Sequence, residues 1–144
     1  MDTRQISEEY AEIGDRVIKR EKSLEHIRES NATIVYLTSE VVKTHDGKKV
    51  CAQCERVPDK YKWSIPADFT ITVFLPNVDG FTEEQKEILM FHELLHVGIV
   101  KNPDDSETYT TCPHDYEDFK EIIDRFGTEW NIVRDYLDAK MELP

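Results

Sequence analysis

The segment Ile88 to Val100, ILMFHELLHVGIV, is among the most apolar stretches of the chain, yet it carries His92, Glu93 and His96 at its centre. Any fold must bury this segment while giving three polar side chains partners, because an unpaired buried carboxylate costs several kcal/mol. On a helix, residues four apart lie one turn above each other, so His92 and His96 can aim two imidazole nitrogens at one metal ion. Glu93, beside the first of them, is placed to take a proton from water that the metal activates. The pattern H-E-x-x-H thus predicts two zinc ligands and a general base on a central, largely buried helix with one side open to a cleft. The alternative is a core helix whose histidines are merely hydrogen-bonded, but it leaves three polar groups within five residues to be satisfied without an ion.

A zinc enzyme commonly uses three protein ligands and keeps its fourth position for water. The segment HDYEDFKEIIDRFG, read as a helix ending at Gly127, offers His114, which stands 18 residues after His96 and leaves ample chain for a helix to turn back. His114 is the preferred third ligand. Glu117, on the same face at i+3, is its competitor, and Asp104, Asp105 and Glu107 are weaker candidates. The metzincin pattern does not apply, because Ile99 replaces its glycine and Asn102 its third histidine. Asp115 and Glu117 can orient a ligating imidazole or simply face solvent, and Tyr109 and Tyr116 can donate to an oxyanion or simply pack.

The rest of the pattern predicts an α+β domain spanning residues 1–144. Ile6, Tyr10, Ile13, Val17, Leu24 and Ile27 form a helical stripe over residues 3–29. Residues 33–42 and 50–57 read as a β-hairpin about the Asp46-Gly47 turn, and residues 69–75 as a third strand closed by Pro76. Thr82 is the expected N-cap of the active-site helix, taken to run on to Val100. Residues 101–113 read as a loop, followed by the helix ending at Gly127 and a last one from about Thr128.

Cys51 and Cys54 have a zinc-knuckle spacing, and Cys112 adds a third thiol. The first two fall in an expected strand, where residues three apart face opposite ways, so strand packing is favoured over a second metal site. His26 and His45 are expected to be solvated. With 30 acidic against 18 basic residues the net charge is −12, which disfavours nucleic acid and anionic membranes as partners. The N-terminus carries charges every few residues and no apolar signal-peptide core, and no later apolar run reaches the length of a membrane span, so a soluble, cytoplasmic protein is expected.

The succession DFTITVFLP, TEEQKEILMFHELLH and PHDYEDFKEIIDRFG resembles the phage metallopeptidase family of zincin-like proteins, from roughly Thr33 to Gly127, and more distantly SprT-like proteases. The resemblance implies a compact zincin-like α+β fold with an N-terminal helix, a small three-stranded sheet and a buried active-site helix followed by two shorter helices. It also implies Zn²⁺ held by His92, His96 and His114, with Glu93 catalytic, acting on a protein or peptide substrate. The rival from another class is a zinc-stabilised binding or regulatory protein with the same ligands and no turnover.

Overall fold

The computed structural model describes residues 3–113, 119–127 and 130–131. Among these, four helices and several small sheets make a compact α+β structure. The chain starts with a short exposed strand, β1 (Arg4–Ile6), where the periodicity alone predicts helix. Ser7 then caps α1 (Glu8–Arg20), its Oγ accepting from the Tyr10 N–H at 3.1 Å, with Glu8 and Glu9 in the first turn where the helix dipole favours them.

The expected single helix over 3–29 breaks at Glu21, whose backbone is extended, and resumes as a 3-10 turn (Lys22–Leu24) and α2 (Glu25–Arg28). Arg28 takes up carbonyls that the break exposes, donating to Glu21 O at 2.8 Å and to Ile18 O. The apolar stripe survives the break, and Tyr10, Ile13, Val17, Leu24 and Ile27 are all buried.

Strand β2 (Ile34–Ser39) is followed by a two-residue-per-strand ribbon, β3 (Thr44–His45) and β4 (Lys48–Lys49), and then by β5 (Ala52–Arg56). Asp46 and Gly47 have φ of 52° and 76°, the positive values that a tight hairpin turn of the type I′ kind requires. The turn is where the sequence puts it, but it closes only the ribbon, and β2 does not pair with β5. Strand β6 (Phe69–Phe74) lies between them, parallel to β2 and antiparallel to β5, in a sheet ordered β1-β2-β6-β5. The expected three-stranded hairpin sheet is therefore four-stranded and mixed. In FTITVF the apolar Phe69, Ile71 and Val73 alternate with Thr70 and Thr72, and the strand takes an inner place, buried at every position but Thr70.

Helix α3 (Glu83–Leu94) begins with a full capping box: Gln85 N–H donates to Thr82 Oγ1 at 3.1 Å and Thr82 N–H to Gln85 Oε1 at 2.8 Å. It packs beside α1, and both cover one face of the sheet. It does not reach Val100. After Leu94 the chain makes one more turn and becomes β7 (Val97–Lys101), which pairs antiparallel with β8 (Glu107–Thr111). The expected loop over 101–113 thus shrinks to the hairpin tip. The β-branched Val97, Ile99 and Val100 favour the strand here, Gly98 disfavours continuing the helix, and the Thr-Tyr-Thr alternation of ETYTT is its partner's signal. Helix α4 (Lys120–Phe126) ends at Gly127, φ 81°, as expected. The start of that predicted helix and most of the one after it lie outside the described residues. No described helix is long and apolar enough to cross a membrane.

Two side chains set the packing of α1. A Cβ on Gly14 would sit 2.3 Å from the Tyr36 hydroxyl oxygen, so the β2 ring fits only against glycine. Ala at an ordinary helix position gains up to about 1 kcal/mol over Gly. Here we expect Gly14→Ala instead to lose about 1–3 kcal/mol by overpacking, read as a lower denaturation midpoint. Glu21 is the second. Its buried carboxylate receives Arg125 Nη1 at 2.6 Å and Arg20 Nε at 3.0 Å, tying α4 to α1. Burial alone would raise its pKa, but the hydrogen bonds from the two arginines outweigh it and hold the group below its ordinary 4.5. A lowered folded-state value adds stability above the unfolded value, and that stability fades as pH falls through the folded one. Glu21→Gln should therefore cost about 1–2 kcal/mol at neutral pH, the arginines being half in solvent. In urea titrations across pH, the gap to wild type should close once pH drops below the ordinary carboxylate range.

Candidate metal centre

His92 lies in the last turn of α3 and His96 one turn further on, just past the end of the helix. The spacing still works because Leu95 keeps helical dihedrals (φ −67°, ψ −18°), while Leu95 N–H donates to Phe91 O and His96 N–H to Glu93 O, both at 3.0 Å. The two rings are 5.4 Å apart between centroids. The nitrogen or oxygen that each of His92, Glu93 and His96 can offer lies within 4.8 Å of the others. His92 Nε2 is 3.7 Å from Glu93 Oε2, and both side chains are buried or nearly so.

His96 is fixed from two directions by one residue. Cys112 N–H donates to His96 O at 2.7 Å, and His96 Nδ1 lies 2.6 Å from Cys112 O. A carbonyl can only accept, so Nδ1 carries the proton and the lone pair is left on Nε2. That is the tautomer a ligand needs, with the ring orientation set by the backbone. Two imidazoles and a carboxylate converging in a nearly dry pocket fit a borderline divalent ion such as zinc.

Aromatic residues wall the cluster. Phe119, just ahead of α4, stands edge-on to both imidazoles, 5.6 Å from His92 and 4.9 Å from His96. Trp130 lies 5.9 Å from His92, and its carbonyl accepts from Gln85 Nε2 at 3.1 Å. The open side is a cleft of about 270 Å³, with Leu89, His92 and Glu93 on one wall and the chain from the ribbon to Ala52 on the other.

The other sequence candidates fall into three groups. His114, Asp115, Tyr116 and Glu117 lie outside the described residues. Asp104 and Asp105 are at the exposed tip of the β7–β8 hairpin, and Glu107 accepts from the Asn31 N–H and the Tyr109 hydroxyl. Tyr109 is thereby turned to Glu107, 2.7 Å away, not to the cluster. His26, expected in solvent, is half-buried with Nε2 2.8 Å from Val97 O, steadying the start of β7. His45 is exposed as expected.

The cysteines are free thiols. Cys51 precedes β5 and escapes its alternation, so it and Cys54 both pack on the core instead of facing opposite ways. Burial, with the Glu93 carboxylate adding to it, pushes the Cys51 thiol up to about 11 and Cys54 further. Neutral thiols are poor ligands and poor nucleophiles, and among the described residues only His92, Glu93 and His96 form a metal-competent group. Sequence reasoning missed Phe119, Trp130 and the Cys112 carbonyl. Phe119 stood in view in PHDYEDF, but no sequence signal marks a carbonyl.

The family model described as "Putative phage metallopeptidase" matches residues 3–139. The chain belongs to that family, which suggests metalloprotease activity. No curated protein and no solved structure matches it.

A Cβ on Gly98 would lie 2.9 Å from Thr110 Cγ2 and 3.0 Å from both Thr110 O and Cys112 Sγ. Gly98→Ala should therefore push β8 away from His96, costing about 1–3 kcal/mol and weakening metal retention on dialysis. Cys112→Ala keeps the backbone bonds to His96 and should retain metal as wild type does; loss of metal would make the thiol a ligand.

Proposed function

We propose that the protein is a zinc-dependent peptidase, a single zincin-like domain over residues 1–144, with His92, His96 and His114 holding Zn²⁺ and Glu93 as general base. The observation that carries this reading is the convergence of His92, Glu93 and His96, the first two lining a cleft, with the His96 tautomer fixed for ligation. Family membership supports it independently. The spacing and the family resemblance support His114 as third ligand over Glu117.

Bound there, zinc supplies Lewis acidity that polarises a peptide carbonyl and makes water a nucleophile near neutral pH. The protein's own groups do the rest. A Glu93 carboxylate oxygen takes the proton of the attacking water and delivers it to the leaving amine nitrogen. Cys112 O holds the His96 Nδ1 proton and with it the ring's aim. Phe119 and Trp130 keep bulk water from the imidazoles. Strand β5, which touches both α3 and β8, pairs only with β6 among the described strands, and we place an extended peptide along its unpaired edge by backbone hydrogen bonding.

Replacing Glu93 with Gln should leave zinc content and melting near wild type while peptide hydrolysis falls by about 10²–10⁴-fold. His92→Ala, His96→Ala and His114→Ala should each lose zinc, measured by elemental analysis, whereas Glu117→Ala should keep it. Wild-type protein purified without zinc, whose hydrolysis and melting ignore chelators, would sink the reading.

A further inference from the structure

We infer that the groove on the helix-free face of the four-stranded sheet docks a segment of another protein, one that sets large apolar side chains beside a carboxylate. Such docking requires neither zinc nor turnover.

Alternation decides what this face carries. Tyr36 packs on Gly14 of α1, so its neighbours Val35 and Leu37 point away from the helices, and neither joins the main core. Ile6 lies opposite Leu37 on β1, and the segment after β5 adds Val57, Tyr61 and Ile65 to the same groove, which is mostly apolar and holds about 680 Å³. Large side chains here stand in water: Ile6 is 78% exposed, and Trp63, between Tyr61 and Ile65 in the chain, is 86% exposed. Exposed apolar surface of this kind marks interaction sites, and Trp, Tyr and Arg carry much of the energy of protein–protein contacts. A small ligand would stay half in water on so open a face, whereas a chain segment brings bulk of its own.

Charge selects the segment. Arg4 reaches over β2 to donate to Thr72 Oγ1 at 2.9 Å and lies 3.5 Å from Glu55, the one carboxylate among the described lining residues. On the flank, Lys62 takes up the carboxylates of Asp68 at 3.1 Å and Asp59 at 3.4 Å. Arg56 remains: it lines the groove and has no hydrogen bond or ion pair among the described residues. Lys60 adds to it, its ammonium held over the Tyr61 ring at 5.1 Å. In a chain of net charge −12 this face is locally cationic, which favours an acidic partner, while the net charge opposes a second copy.

The surface is built before a partner arrives. A 3-10 turn at Asp59–Tyr61 is continued by Ile65 N–H donating to Tyr61 O at 2.9 Å and Ala67 N–H to Ile65 O at 2.8 Å, and Val57 N–H closes the segment on Asp68 O at 2.8 Å. A backbone ordered in advance loses less entropy on binding.

The test uses full-length Glu93→Gln protein, which keeps a probe intact, and three fluorescein-labelled peptides that share one frame and carry Leu with Glu, Leu with Lys, or Ser with Glu at the same positions. By anisotropy at low salt the Leu/Glu peptide should bind about 5–30-fold more tightly than either of the others, and its lead over the Leu/Lys peptide should shrink at high salt. Arg56→Glu/Lys60→Glu should reverse the charge preference. Tyr61→Ser/Trp63→Ser should weaken the Leu/Glu peptide about tenfold with melting near wild type, both side chains being exposed. Equal binding of the three peptides, or affinities indifferent to both double variants, overturns the inference. Sedimentation of the free protein should show a monomer; a dimer that Tyr61→Ser/Trp63→Ser abolishes would give the groove to a second copy and overturn it as well.

Discussion

The backbone of Cys112 and the whole of His96 form one reciprocal contact, and much of the architecture serves to bring it about. It requires α3 to stop at Leu94, the chain to leave as β7, and β8 to return in a register that sets Thr111 opposite Val97. Gly98 makes that return possible by leaving room for Thr110 and Cys112. His26 supports the same corner from α2 through the Val97 carbonyl. An imidazole held through Nδ1 by one carbonyl, on a residue whose own carbonyl is held by the same partner, has little rotamer freedom to lose, so its geometry is organised before any ion arrives.

The sequence carries the His-Glu-His cluster plainly because four-residue spacing is a property of the helix itself. The helix end was less visible. VGIV is apolar and short, and such a run fits a buried helix as well as a strand. Thr108, Tyr109 and Thr110 were masked as a strand by the breakers around them, PDDS before and CP after. Pairing posed a different difficulty: Asp46-Gly47 does form its turn, but nothing local says that strands flanking a turn will be parted by a third. The inner place of β6 emerges only once the sheet is assembled: Phe69, Ile71 and Val73 alternate with Thr70 and Thr72, the pattern of a half-buried strand, yet Thr72 is fully buried.

The same distinction runs through the polar residues. His26 and Glu21 look like ordinary members of a charged helix face, and both acquire structural work from residues far along the chain, Val97 and Arg125. The cysteines go the other way. Their spacing suggests metal, and burial beside a carboxylate makes them neutral packing groups.

Phe119 belongs to the start of α4, and α4 is only seven residues long, too short to persist as a helix without its tertiary contacts. Its moorings include the Arg125–Glu21 pair and the guanidinium stacked over Phe91, 5.4 Å from that ring. The described part of the wall beside the imidazoles therefore depends on those moorings, while the candidate ligands His92 and His96 are rooted in α3 and the turn before β7. Acidification weakens the Arg125–Glu21 mooring through protonation of Glu21, so an ion held as proposed would gain a route of exchange through local opening of α4.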